Sequence, residues 1–219
     1  MLGRLHRDEF VASYVLADGL GSHLRYSYPD VADIAVARQG LRQWLRLQIT
    51  AQAALGLPSK AVDLLWEEFS HRTDEYRHFC EEAYGGLLHH TPSWAMPASD
   101  AEKADSTKMA LTYALACRDE VMRPHYPDHV PLLFRVDTEL AIVDGQHWVR
   151  SCGDHPCSAP AGTGCIEHGL FPLIPEHLPE QYRLSPNGQL VNVEDDLFKL
   201  GPKSAKSYTF GAGGFGVLR

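Results

Sequence analysis

The sequence predicts a mainly α fold: a compact helical domain of four or five helices, followed by a small irregular C-terminal appendage with a β-hairpin. Three observations carry this. Apolar residues recur at helical spacing through three long segments between about residues 30 and 122. Gly and Pro interrupt the chain between those segments. After about residue 150, Cys, Gly and Pro replace the periodic patterns. The expected division is therefore 1–150, helical domain, and 151–219, Cys/Gly-containing appendage.

The elements follow in chain order. Residues 1–30 contain a short helical piece and then the turn "YSYPD". A helix starts near Asp30 or Asp33, with Leu41, Trp44, Leu45 and Ile49 on one side, until "GLP" stops it. Ser59 caps the next helix, because its hydroxyl can accept a hydrogen bond from a first-turn N–H. In that helix Val62, Trp66, Phe69, Thr73, Tyr76, Cys80, Ala83 and Leu87 step by four and three. This reads as one buried stripe on one long helix, mostly core packing, with Cys80 an inert buried thiol. Gly85-Gly86 ends it, and Pro92 and Pro97 bound a loop. Ser99 with Glu102 fits a capping box for a helix from about Lys103 to Met122. "LLFRVDTELAIVDGQHWV" fits a short helix or a strand, with a turn at Asp144-Gly145. Two short strands flank Asn187-Gly188, a strong hairpin signal.

Composition excludes several classes. The formal net charge is −8 with both signs interspersed, which lacks the basic patch a nucleic-acid binder needs. No apolar run reaches the roughly 18 residues of a membrane span, and the N-terminus lacks the apolar core of a secretory signal. The expectation is a cytoplasmic protein with reduced thiols, no nucleic acid and no membrane, and an unknown small molecule or protein as partner.

Two residue sets could hold a metal. Asp63 and Glu67 are four apart, so their carboxylates share one side of a helix, and His89 and His90 follow that helix. If the chain folds back, two carboxylates and one or two imidazoles would suit Zn or another divalent transition metal. There Glu67 could ligate or act as base and, with His90, carry catalysis. The competing reading has the His pair interacting with helix-end carbonyls. The second set is Cys152-x4-Cys157-x7-Cys165-x2-His168, with His155 inside it. Three thiols and an imidazole can fill a tetrahedral zinc shell, although free thiols or a disulfide fit the same spacing. Glu68-x-x-His71 and Glu75-x-x-His78 read as a solvated face, since both pairs sit on one helix opposite the apolar stripe. "GAGGFG" has no helix after it, so a dinucleotide loop is rejected.

The order "YPD…GLRQWL…LPSKAVDLLWEEF…RTDEYRHFCEEAYGGLLHHTP" resembles the bacterial glycine-rich domain-containing protein-like family, from about Tyr28 to Cys152. Asp63, Trp66, Thr73, Tyr76, Phe79, Cys80, His89, His90 and Pro92 carry the resemblance, whereas Glu67 stands where that family usually has His. The resemblance implies a helical domain with a Gly/Cys-rich tail and little about activity. The functional expectation is a cytoplasmic metal-binding protein of unknown substrate, with a metal-dependent enzyme as the finer form of that reading. The alternative is a non-enzymatic binding module with a structural zinc or free-thiol tail, in which Trp94, Phe210 and Phe215 contact a partner.

Overall fold

The computed structural model describes residues 2–31, 33–51, 54–89, 98–154, 156–159, 163–175, 178, 182–184 and 190–192. The side chains of residues 2–4, 98–105, 182–184 and 190–192 fall outside that description. The described chain is mainly helical with small β elements towards its C-terminal end, as the sequence predicts. The helices are α1 (Leu2–Ser13), α2 (Ser22–Ser27), α3 (Ala35–Thr50), α4 (Lys60–His71), α5 (Thr73–Tyr84), α6 (Ala98–Asp119), α7 (Leu132–Glu139) and α8 (Ile166–Gly169). Strands β1 (His147–Val149) and β2 (Thr163–Cys165) pair in parallel, and β3 (Tyr182–Leu184) and β4 (Leu190–Asn192) form an antiparallel hairpin. The hairpin brackets Asn187-Gly188 as expected, although those two residues lie outside the described ones.

Helix α3 is the hub. Its buried face, with Leu41, Trp44, Leu45 and Leu47, packs against α1, α4, α6 and α7. Asp33 accepts a hydrogen bond from the Ala35 N–H at 2.8 Å, which fixes where α3 begins. Aromatic rings fill the space between helices: Trp44 lies 4.3 Å from Trp66, and Phe79 meets Tyr14 edge-on at 4.8 Å. The same apolar core includes Ile166, Leu170 and Leu178, downstream of the composition change near residue 150.

The expected single helix after Ser59 is two helices. Arg72 leaves helical angles (φ −82°, ψ 68°), so α4 stops and α5 begins at Thr73. Asp74 and Glu75 sit in the first turn of α5, where the N-terminal dipole favours carboxylates. Val62, Trp66, Phe69, Tyr76, Cys80 and Ala83 are buried as expected. Thr73 is exposed at the new helix start, and Leu87 is exposed beyond Gly85. Gly85 ends α5 in the left-handed region (φ 76°), which costs glycine little. Tyr76 ties the stripe together: its hydroxyl accepts from the Trp66 indole N–H at 3.0 Å and donates to the Leu88 carbonyl at 2.6 Å.

The charged face of α4 and α5 is more than solvated surface. His71 and His78 are exposed, in line with expectation. Glu68, however, accepts from Gly21 N–H (2.9 Å), His23 N–H (3.2 Å) and the Ser22 hydroxyl (2.7 Å), so it caps the start of α2 from another helix. Glu75 accepts from the Tyr14 hydroxyl at 3.2 Å. The two glutamates therefore hold the N-terminal segment onto α4 and α5.

"LLFRVDTELAIVDGQHWV" resolves into α7, a turn through Asp144-Gly145, and β1. Within it Asp137 is 1% exposed and accepts four hydrogen bonds. Its Oδ1 receives the Ser59 hydroxyl (2.6 Å) and Ala61 N–H (3.0 Å), and its Oδ2 receives Lys60 N–H (2.8 Å) and Gln146 N–H (2.7 Å). Ser59 does cap α4 as predicted, accepting from Val62 N–H at 3.2 Å. The sequence reading missed that Ser59 also donates to a buried carboxylate from α7. One side chain thus fastens the start of α4, the end of α7 and the approach to β1.

Candidate metal centre

The centre is built on the β1–β2 pair. The register sets Trp148 opposite Gly164 and Val149 opposite Cys165. The Trp148 indole N–H donates to the Pro58 carbonyl at 3.1 Å, and its ring meets Phe134 at 5.1 Å. With the ring so fixed, a Cβ on residue 164 would come within 2.4 Å of it. Only glycine lets β2 lie against the indole, so Gly164 sets the position of its neighbour Cys165.

Cys165 passes directly into α8, whose first residue, Ile166, is fully buried. The Glu167 N–H donates to the Arg150 carbonyl at 3.1 Å, holding α8 against the end of β1. His168 lies on α8, three residues after Cys165, whose extended backbone (φ −95°, ψ 116°) ends β2, and the short turn of chain between them brings the two side chains together. The loop beyond β1 supplies the other two thiols. Gly153 turns it with φ 77°, the Gly153 N–H donates to the Ser151 hydroxyl (3.0 Å), and Ser158 donates to Asp154 (2.7 Å).

Four ligand atoms converge. Cys152 Sγ lies 3.4 Å from Cys157 Sγ and 3.1 Å from His168 Nδ1, and Cys165 Sγ lies 3.4 Å from that same nitrogen. All four atoms fall within 4.8 Å of one another. A tetrahedral zinc with bonds of about 2.3 Å to sulfur and 2.0–2.1 Å to nitrogen would set its ligand atoms about 3.5–3.8 Å apart. The donors therefore have the number and chemistry of a Cys3His shell, at separations on either side of those a bound zinc would impose. His155 lies outside the described residues.

The thiols are electrostatically unequal. Backbone hydrogen bonding, chiefly at Asp154, holds Cys152 down to about 6, so it is largely thiolate at neutral pH. Desolvation, followed by its hydrogen bonds to the other thiols, pushes Cys157 up to about 11. Crowded thiols cannot all ionise without a cation to offset the charge, and a divalent ion held by these four residues would supply it. Cys80 and Cys117 behave differently: burial raises both, and each sits in the helical core.

The other expected set is placed only in part. Asp63 and Glu67 are half-buried on α4, and His89 is exposed after α5. His90 lies outside the described residues, as do Pro92, Trp94, Pro97, Phe210, Phe215 and the "GAGGFG" segment. The side chains of Ser99 and Glu102 lie outside them too. The chain does turn back after α5, but the Leu88 carbonyl returns to Tyr76, beside Trp66 in the middle of α4. Among the described residues, the thiol cluster is the one group of three or more His, Cys, Asp or Glu residues close enough to share a metal ion. Asp63, Glu67 and His89 do not form another.

Comparison with known proteins fixes the family. The family model described as UCP032817-like matches residues 6–168, and the chain belongs to that family. The assignment to a glycine-rich domain-containing protein-like family was wrong: the matching family is a different one, and nothing indicates a glycine-rich domain. The matched span ends at His168, the last of the four converging ligands. No match was found among curated proteins or among solved structures.

Proposed function

We propose that this member of the UCP032817-like family is a zinc-binding protein whose Cys152, Cys157, Cys165 and His168 hold one structural ion. The convergence of four ligand atoms within 4.8 Å is the observation that supports this. With all four positions filled by protein, no position is left open for a substrate or a water, which is the pattern of structural rather than catalytic zinc. The ion would clamp the β1 loop to α8 and so hold the C-terminal segment to the helical core. Zinc is favoured over harder cations because three of the donors are thiols. Five free cysteines suit a compartment that keeps thiols reduced, so the proposed location is the cytoplasm. No described helix is long and apolar enough to cross a membrane.

Elemental analysis of the purified protein tests the reading. About one equivalent of zinc is expected from a single four-ligand site. Cys165→Ser should lose it, while Glu67→Ala/His90→Ala should keep it. Zinc retained in the first variant and lost in the second would move the metal to the Asp63, Glu67, His89 and His90 set and reopen a catalytic role for Glu67 and His90.

A further inference from the structure

The four ligands of the proposed site divide into two halves. Cys165 is 7% exposed and is held by β2 and the buried start of α8. Cys152 is half-exposed and Cys157 exposed, and both belong to the loop beyond β1. Their sulfurs are 3.4 Å apart. A disulfide needs about 2.05 Å, so closure requires a movement of only about 1.4 Å. That movement falls on the turn around Gly153, not on the sheet or the core. The protein thus presents its two most accessible thiols to solvent as an adjacent pair. Of the other three thiols, Cys165 is buried in the site, and Cys80 and Cys117 are fully buried in the helical core, beyond the reach of a soluble oxidant.

We infer that Cys152 and Cys157 form an oxidant-driven disulfide that empties the metal site, making this centre a thiol-redox switch. The inference rests on the zinc reading and adds its regulation. With a peroxide as oxidant, one thiolate attacks a peroxide oxygen, the O–O bond breaks and a sulfenic acid forms with release of hydroxide. The second thiolate then attacks that sulfur, the S–S bond forms and a second hydroxide leaves. Two thiolates lose two electrons and the peroxide gains them; two protons from solvent convert the hydroxides to water. The site then retains only Cys165 and His168, too few ligands to hold zinc against water. A thiol reductant reverses the step and restores the shell.

The test uses the full-length zinc-loaded protein and a small excess of hydrogen peroxide. Zinc release is followed with a chromogenic chelator, and thiols are mapped by alkylation before and after reduction. All three tail cysteines fall in one tryptic peptide, residues 151–183, so fragmentation of that peptide assigns the link. The expected result is release of about one equivalent of zinc. A disulfide should join Cys152 to Cys157, with Cys80, Cys117 and Cys165 still reduced and zinc binding recovered after reductant. Cys157→Ser should form no intramolecular disulfide under the same treatment. Zinc retained with all thiols intact overturns the inference, and so does a link that includes Cys165. Protein that holds no zinc before oxidant overturns the metal reading itself and the switch with it, an outcome visible before any peroxide is added.

Discussion

Asp137 and the thiol cluster both fasten the chain near β1, and they do so in opposite ways. Around Asp137 every lone pair that matters faces a donor: one hydroxyl and three backbone N–H groups meet the carboxylate at 2.6–3.0 Å. The protein satisfies that buried charge by itself. In the cluster, Cys152, Cys157, Cys165 and His168 bring their electron-pair donors within 4.8 Å of one another. Acidic oxygens surrounded by N–H groups mark a structural clamp, whereas soft donors converging on a shared point mark a place for a cation. The distinction lies in what each polar atom faces and not in which residue types are present.

The sharpest way to break this comparison is Asp137→Ala. It would strand the N–H groups of Lys60, Ala61 and Gln146, and we expect a loss of about 3–5 kcal/mol in urea unfolding, as for other broken buried charge networks. An unchanged unfolding midpoint would show that the clamp is not what fixes α4 and α7. Second in size is the metal. Chelating the proposed zinc should cost about 3 kcal/mol relative to protein in free zinc at about a hundredfold its Kd, read as a fall in Tm. Cys165→Ser should show no such zinc-dependent shift, whereas Asp137→Ala, if it still folds, should keep one. Equal zinc responses in wild type and Cys165→Ser would remove the cluster from the account.

Smaller effects sharpen the same contrast inside the helical core. Tyr76→Phe leaves the Trp66 indole N–H and the Leu88 carbonyl without their hydroxyl partner, at an expected cost of about 1–2 kcal/mol and no change in zinc content. Glu68→Gln tests the cap on α2, with a loss of about 1 kcal/mol at neutral pH. Here the sign with pH is defined. Burial alone would raise the Glu68 carboxyl, but hydrogen bonds from the Ser22 side chain and the backbone of His23 and Gly21 outweigh it and hold the group below its ordinary value of 4.5. A depressed folded-state value means the contribution is fully present above about 4.5 and disappears as pH falls through the folded value. Stability of the wild type should therefore drop more steeply below pH 4.5 than that of Glu68→Gln, measured by thermal melts across that range.

Local signals carried well from sequence to structure. Ser59 caps α4, Gly85 ends α5, and short strands flank Asn187-Gly188, because capping hydroxyls, left-handed glycines and hairpin turns act over a few residues. The apolar stripe of α4 and α5 was legible too, since periodic burial survives a break such as the one at Arg72. Cys152, Cys157, Cys165 and His168 could be named as a candidate group because they lie close along the chain, and their donor atoms converge within 4.8 Å. The family could not be read from the shared aromatic and His motifs, which are too short to separate one helical family from another.

Residue spacing carried the mainly helical class and the roster of candidate ligands, both properties of near neighbours along the chain, but not the break that splits α4 from α5. Which candidates meet depends on how distant segments pack. Cys165 reaches Cys152 because a parallel strand pair, pinned by Trp148 against Gly164, returns the chain to β1. Asp137 and Glu68 cap helices tens of residues away, at separations of 77 and 47 residues in two of their bonds, and no local pattern encodes such contacts. Covalent spacing governs a single turn; the closure of long loops, driven by burial of the apolar core, governs the rest.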